Sequence, residues 1–314
     1  MSGGCDRSVR RRGFALITVL WVMTLAAVVA LASELAGRDA YDAGRNRVFA
    51  ERAHWLALDC MARTHALIDA VLGSTTDAWE VANLWRTLDA HVSGDGFLNV
   101  PGCSVRMEAT GTRLDVNAAS DTLLLGVFTE AGYGQQANAM LDALRDWTDS
   151  DNVARPLGAE ADWYAQRGRP TPRNGPIADI RELGLVRGFE SAIPALEPFL
   201  TAQPGSLSLP NASLAVLAVV PGFTPEALDR LAQMRETGEP ITDLASFASS
   251  LSPDGLSQME AHFDQISRTV TVDPDAWIVT ATGVAGAPTV TTTLEYRFAR
   301  AGNRAVAVQR RVDP

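Results

Sequence analysis

Four side chains with oxygen donors lie within twelve residues of one another in the segment DWTDSDNVARPLGAEADWYAQRGRPTPRNGPIADIREL, residues 146–183. They are Asp149, Asp151, Asn152 and Glu160. Such oxygens are hard donors, and calcium takes about six to eight of them in proteins. Alternate residues of a turn can face one centre, and Glu160 can complete the set if the loop folds back. We therefore predict a calcium site made by these four residues.

Other interpretations of the acidic segment stay open. Acidic loops are usually solvated, and Asp146 can cap a helix without touching a metal. The positive charge could come from Arg155, Arg167 or Arg169 instead of a cation. Paired carboxylates also carry out glycoside hydrolysis, but that chemistry normally needs an aromatic-lined cleft for the sugar.

Motifs of common enzyme classes are absent from the sequence. It contains no G-x-S-x-G, H-E-x-x-H or C-x-x-C motif, and none of its four histidines has a partner at metal-binding spacing. It also contains no lysine, which excludes a Walker A phosphate loop and a Schiff-base lysine. We predict that the protein is not an enzyme.

The charge balance argues against nucleic acid as a partner. The formal net charge is −10, and residues 1–13 carry four arginines and one aspartate, so a chain without them would be near −13. Two glycine-bearing hairpins, at residues 132–137 and 221–223, resemble those of helix-hairpin-helix DNA-binding proteins. Glutamines and acidic residues stand where those proteins place basic residues. We interpret the hairpins as scaffold, with DNA binding as an alternative.

An uncharged apolar run follows the basic N-terminus. Residues 14–32 would span roughly 28 Å as a helix, close to the hydrocarbon thickness of a bilayer. Four preceding arginines indicate a cytoplasmic N-terminus. Cleavage at Ala30-Leu31-Ala32 would remove the run as a signal peptide, whereas cleavage between Gly13 and Phe14 would keep it. An uncleaved signal anchor is the third interpretation.

The helix is predicted to continue well beyond the membrane. Apolar residues recur at three- and four-residue spacing as far as Leu72, no proline interrupts them, and Gly73-Ser74 provides a stop. The first third is apolar all round and the rest is amphipathic. A short helix should follow at residues 75–91.

The remaining chain predicts a sheet interrupted by helices. CSVRMEATGTRLDVN should form two strands that turn at Gly111. Three or four antiparallel strands should follow Thr269, with turns near Asp273-Pro274, Gly283 to Pro288 and Ala301-Gly302-Asn303. Between them lies a helical block, residues 117–267. It contains two similar units, each with an Asn/Ser cap, an apolar helix, a glycine-bearing hairpin and a second helix. Cys60 and Cys103 could form a disulfide or remain buried thiols.

The N-terminal segment resembles type IV pilins and pseudopilins, which a prepilin peptidase cuts after glycine. The resemblance implies cleavage between Gly13 and Phe14 and N-methylation of Phe14. Most members carry glutamate at the fifth position after the cut, where it is thought to neutralise the N-terminal amine of a neighbouring subunit. Thr18 stands at that position here.

The acidic segment resembles the protein K family of type II secretion minor pseudopilins. The matching features, in order, are Trp147 in an acidic turn, Gly158 with Glu160 and Tyr164, Asn174-Gly175, and Glu182-Leu183. The resemblance implies a place at the pseudopilus tip, calcium binding, and the minor pseudopilins I and J as partners, followed by H and the major pseudopilin. A minor pilin of a type IV pilus is the alternative.

The resemblance also implies a domain order and a location. The expected fold class is α+β, with a pilin-like long helix packed on an antiparallel sheet and an inserted helical domain. The expected divisions are a leader (1–13), a transmembrane part (14–35), a first pilin-like part (36–116), the helical block (117–267) and C-terminal strands (268–314). We expect a single-pass inner-membrane protein with its body in the periplasm.

Overall fold

The computed structural model describes residues 10–92 and 100–313. The first nine residues of the predicted leader lie outside the described residues. Gly13 and Phe14 lie within the first helix, but their side chains are outside the description.

The secondary structure is numbered along the chain. The α-helices are α1 (Arg10–Leu72), α2 (Ala78–Arg86), α3 (Leu88–Val92), α4 (Asp121–Phe128), α5 (Ala137–Thr148), α6 (Ala161–Ala165), α7 (Ile193–Leu196), α8 (Leu214–Ala218), α9 (Pro225–Thr237), α10 (Leu244–Ser249), α11 (Pro253–Ala261) and α12 (Phe263–Thr269). The strands are β1 (Cys103–Ala109), β2 (Leu114–Asp115), β3 (Leu200–Thr201), β4 (Leu207–Ser208), β5 (Val270–Thr271), β6 (Ala276–Ala285), β7 (Val290–Ala301) and β8 (Arg304–Asp313). A π-helical turn (Thr129–Tyr133) follows α4, and a 3-10 helix (Ile180–Leu185) precedes α7.

The long first helix is confirmed, with its end at Leu72 as the sequence predicts. Apolar side chains from Leu16 to Leu35 are exposed, whereas the C-terminal half buries one face. That face repeats at helical spacing because positions three and four apart share one side of a helix. Its buried members are Ala53, Ala57, Cys60, Met61, Thr64, Ile68 and Leu72.

This face of α1 packs on a four-stranded antiparallel sheet with the order β1-β6-β7-β8. Burial alternates along β6, so one side of the strand faces α1. In the register, Val279 of β6 lies opposite Met107 of β1 and Tyr296 of β7. We call α1 from Ala53 onward, with α2, α3 and this sheet, the sheet body.

Two side-chain connections fix α1 to the sheet. Cys60 and Cys103 form a disulfide between the helix and the edge strand β1. At the opposite edge, the backbone N–H of Ala305 in β8 donates to Asp69 Oδ1 at 2.8 Å, and its carbonyl oxygen lies 2.9 Å from His65 Nε2. The helix is therefore attached at both edges of the sheet.

Three predictions about local structure need correction. The two strands predicted in residues 103–117 form, with a turn at Gly111, but they do not pair with each other: β1 pairs antiparallel with β6, and β2 pairs parallel with β3. The C-terminal turn predicted from Gly283 falls after Ala285, since Gly283 lies inside β6. The helix predicted for 75–91 is divided at Thr87 into α2 and α3.

The helical block contains the two predicted helix–hairpin–helix units. Ser120 and Ser213 accept backbone N–H groups at the starts of α4 and α8, and α5 and α9 supply the second helices. Their apolar faces belong to one core of buried residues between Leu114 and Val270. In the second hairpin Gly222 lies against Ile266 and His262, so this hairpin packs inside the block instead of facing a phosphate.

Candidate metal centre and partner surface

Three carboxylates meet at the end of the first helical unit. Ligand oxygens of Asp146, Asp149 and Glu160 all lie within 4.8 Å of one another. Asp146 is fully buried and Glu160 is 6% exposed. The structure thus brings together two predicted ligands, Asp149 and Glu160, and adds Asp146.

The helix α5 and a close backbone approach position these groups. The apolar face of α5 is buried in the core, which fixes its last turn and places Asp146 next to the loop that follows. The N–H of Arg155 donates to both oxygens of Asp146 at 3.2 and 3.1 Å. A Cβ at Gly158 would lie 2.0 Å from Asp146 Oδ2. The loop therefore folds back over α5, and only glycine fits at its point of contact.

The cluster carries negative charge that its protein neighbours do not satisfy. Both carboxylate oxygens of Glu160 and one of Asp149 are buried without a hydrogen-bond partner. Burial raises the pKa of Glu160, and the carboxylates of Asp146 and Asp149 raise it further. Burial also raises the pKa of Asp146, although N–H groups of Arg155 and Ala159 oppose that effect.

Arginine supplies only part of the counter-charge at this cluster. Arg155 Nε lies 3.8 Å from Asp146 Oδ1, and the arginine side chain is 42% exposed. Arg167 instead lies over the ring of Trp163, and Arg169 pairs with Glu190. Buried carboxylate oxygens without partners are a donor set that suits a hard divalent cation.

The other two predicted ligands lie outside this cluster. Asp151 is exposed, and its Oδ1 accepts the N–H of Val153 at 2.8 Å, as in a local turn. Asn152 is also exposed. In the sequence, Asp146 was considered only as a possible helix cap. Its spacing of three residues from Asp149 at the end of a helix indicates that the two carboxylates can share one site.

A second candidate site is a row of exposed apolar side chains on α1. Tyr41, Val48 and Trp55 are 69%, 65% and 66% exposed and lie seven residues apart. Heptad spacing keeps side chains in line along one helix face when two helices coil around each other. We call these three residues the stem seam. None of them contributes to the core that α1 forms with the sheet.

A protein-family model matches a part of the chain that contains the acidic segment. Residues 105–205 match the family model described as Type II secretion system (T2SS), protein K. The resemblance to the protein K family is confirmed. The matched residues include most of β1, the first helical unit and the carboxylate cluster.

Two curated relatives, both called Type II secretion system protein K, extend this match. The protein from Dickeya chrysanthemi is 23% identical over 262 residues, covering 69% of this chain and 72% of the relative. The protein from Klebsiella pneumoniae is 26% identical over 195 residues, covering 59% and 60%.

A solved structure shares the fold. It is a chain in the crystal structure of the GspK-GspI-GspJ complex from the enterotoxigenic Escherichia coli Type 2 Secretion System, with a TM-score of 0.66 and 16% identity. The alignment covers 86% of this chain and 99% of that chain. The predicted α+β, pilin-like fold class is confirmed.

Proposed function

We propose that this chain is a minor pseudopilin at the tip of a type II secretion pseudopilus, a structural component without enzymatic turnover. The observation that carries the proposal is the division of α1 into an exposed apolar part and a part packed on a sheet, in a chain that matches protein K. A free helix surface is needed for assembly by packing. The helical block adds bulk to the subunit.

The apolar part of α1 anchors the subunit in the inner membrane. Among residues 10–92 and 100–313, α1 is the helix long and apolar enough to cross a bilayer. The body then lies in the periplasm. The disulfide between Cys60 and Cys103 supports this location, because disulfides persist in oxidising compartments.

Processing follows from the resemblance. A prepilin peptidase cleaves between Gly13 and Phe14, and Phe14 is then N-methylated. Thr18 has no carboxylate with which to neutralise the amine of a subunit above it, which supports a position at the apex. N-terminal sequencing of the chain from native membranes tests this step, and a start at Ser33 would contradict it.

The partners are the minor pseudopilins I and J, with H and the major pseudopilin below them. One relative of the same fold comes from a GspK-GspI-GspJ complex, and the stem seam gives this chain a surface for such helices. Helices that meet through heptad-spaced side chains cross at about 20° in a left-handed sense. Small residues along the membrane part allow close packing there.

A calcium ion fits the carboxylate cluster. Asp146, Asp149 and Glu160 would hold it, since their buried oxygens lack other partners. Asp151 and Asn152 stay proposed ligands by resemblance. The ion would supply positive charge that cancels repulsion among the carboxylates, and would thereby hold the loop against α5.

Substitution of Trp55 tests the assembly role. We expect Trp55→Ala to lower co-purification with the I and J partners from membranes by about tenfold or more, because buried tryptophans dominate interface energies. Trp79→Ala is the matched control, since Trp79 is 62% exposed on α2 and lies off the seam. Equal recovery of both variants with the partners would contradict the proposal.

A further inference from the structure

Three arginine side chains surround one tryptophan next to the carboxylate cluster. The guanidinium carbons of Arg167, Arg187 and Arg169 lie 4.1, 5.0 and 5.9 Å from the ring centroid of Trp163. We call these four residues the arginine–tryptophan patch. Guanidinium groups stack favourably on indole rings, so the arrangement holds the positive charges in place.

The patch rests on a rigid support. Tyr164 beneath it is fully buried and contacts the rings of Trp147 and Trp163, with centroids 5.2 and 5.0 Å away. The N–H of Arg187 donates to the hydroxyl of Tyr164 at 3.0 Å. Arg187 Nη1 also donates to the carbonyl of Gly158 at 2.7 Å. The positions of the guanidinium groups are therefore set by packing and hydrogen bonds.

The charge of the patch is only partly neutralised. Arg169 pairs with Glu190. Among the described residues, neither Arg167 nor Arg187 forms an ion pair, and the polar contacts of their guanidinium groups are with the carbonyls of Trp163 and Gly158. Other arginines in this region do have carboxylate partners: Arg155, Arg173 and Arg181. A positive patch in a chain of net charge −10 is thus a local exception.

Apolar groups flank the unpaired arginines. Leu157, next to Gly158, is 49% exposed, and Leu185, whose carbonyl accepts from Arg169, is 40% exposed. Tryptophan and arginine are the residues enriched at the energetic centres of protein interfaces. A small anion would use the guanidinium groups and leave the ring and the leucines uncovered.

We propose that the arginine–tryptophan patch is a docking surface for an acidic segment of a partner polypeptide. Carboxylates of that segment bind the free N–H groups of Arg167 and Arg187, whose planar forks match carboxylate geometry. Apolar side chains between its acidic residues cover Trp163 and the flanking leucines. This inference goes beyond assembly through the stem seam and does not depend on it.

Binding of a labelled peptide tests the surface. The full chain in detergent, with calcium present, is titrated with a fluorescent peptide of alternating glutamate and alanine, and fluorescence anisotropy is measured at near-physiological ionic strength. The overall negative charge of the chain repels this peptide, and salt screens that repulsion beyond about 8 Å. Saturable binding is therefore expected only where positive charge is local. A neutral glutamine–alanine peptide of the same length is the probe control and should not bind.

Two matched variants locate the binding. Arg167→Gln is expected to weaken it about five- to tenfold, since a charged contact is lost. Arg304→Gln makes the same change of net charge on the exposed start of β8 and should leave binding unchanged. Circular dichroism checks that both variants fold. Equal affinity of the two variants would overturn the proposal, as would the absence of binding by the unmodified chain.

A competition experiment distinguishes a binding site for a polypeptide from a binding site for a small anion. Inorganic phosphate at matched ionic strength should displace the peptide no better than chloride does. Displacement by phosphate at low millimolar concentration would assign the patch to phosphate-type anions and overturn the polypeptide proposal. Failure of either test leaves the Trp55 result, and hence the proposed assembly role, unaffected.

Discussion

In the sheet body one long helix lies across four paired strands, whereas in the helical block short helices are joined by irregular loops. The body is fixed by ladders of backbone hydrogen bonds and by a disulfide. The block is fixed by an apolar core, and at its edge lies a cluster of carboxylates that repel one another. The contacts of the sheet body need nothing from outside the chain, while the helical block would be stabilised by the proposed cation.

One glycine in each region shows the same difference. A Cβ at Gly283 would lie 1.9 Å from the backbone oxygen of Ala53 in α1. A Cβ at Gly158 would lie 2.0 Å from the side-chain oxygen Oδ2 of Asp146. The body is thus limited by contact between backbones, and the block by contact with a carboxylate that also belongs to its candidate metal site.

Removal of the disulfide should produce the largest difference in stability between the sheet body and the helical block. Replacing both Cys60 and Cys103 by alanine frees a loop with a sequence separation of 43 residues, which costs about 4 kcal/mol of unfolding free energy. Amide hydrogen exchange resolved by peptide should quicken in the sheet body and stay unchanged in the helical block. Ser104→Ala, at an exposed position of β1, is the control. Equal quickening in both regions would show that they unfold as one unit.

Gly283→Ala should damage the sheet body next most strongly. The new methyl group forces α1 and β6 apart, and overpacking of this kind costs about 3 kcal/mol. Chemical denaturation of the full chain in detergent measures the loss. Gly44→Ala is the matched control, because a Cβ there meets nothing within 4 Å, so we expect no loss of stability. A Gly283→Ala chain as stable as the control would contradict the close contact between helix and strand.

The effect of Glu160→Gln on the stability of the chain should change sign between calcium and chelator. With calcium at about a hundred times its dissociation constant, loss of binding costs about 2–3 kcal/mol. In chelator the same variant should be as stable as the unmodified chain or more so, because it removes a buried charge without a partner. Thermal unfolding in calcium and in chelator measures both effects. Equal midpoints for the unmodified chain under the two conditions would contradict a calcium site.

Asp151→Asn separates the two ligand sets. The structure predicts a small change, because Asp151 Oδ1 already accepts a local N–H and lies outside the cluster. A calcium-dependent loss as large as that of Glu160→Gln would favour the ligands expected from the sequence alone.

The smallest loss of stability is expected at Asp179, which lies where the helical block contacts the sheet body. A hydrogen bond from Arg181 lowers the pKa of Asp179 to about 2, and Arg311 of β8 lies 3.7 Å from the same carboxylate. Since the pKa is depressed on folding, the stabilisation is present above the unfolded pKa of about 3.9 and is lost as the pH falls through about 2. Asp179→Asn should therefore cost about 1 kcal/mol at pH 7 and almost nothing at pH 2, measured by urea unfolding. A pH-independent loss would contradict this account.

Much of the architecture follows from local patterns in the sequence. Helical periodicity to Leu72 and β-branched alternation after Thr269 each extend over many residues, so single exceptions do not obscure them. The partner of β2 could not be predicted in this way. Leu114 pairs with Leu200, far along the chain, and a two-residue parallel strand leaves no periodic signal.

The candidate metal site was predicted only in part, because one of its residues is identified by a contact between distant parts of the chain and not by a local sequence pattern. Asp149 and Glu160 were expected because both are acidic residues in a loop. Asp146 lies on a helix, and its role depends on how the loop returns over Gly158, which is a three-dimensional property. Asp151 has the right chemistry but an orientation set by its own local hydrogen bond.

The attachment of α1 to Ala305 limits strand addition at this edge of the sheet. An edge strand with free backbone groups is a template on which a further strand can add, chain after chain. His65 and Asp69 already use the carbonyl and N–H of Ala305, so an incoming strand would have to displace the subunit's own helix. Addition of a foreign strand along this part of β8 is therefore expected to require release of α1 from the sheet.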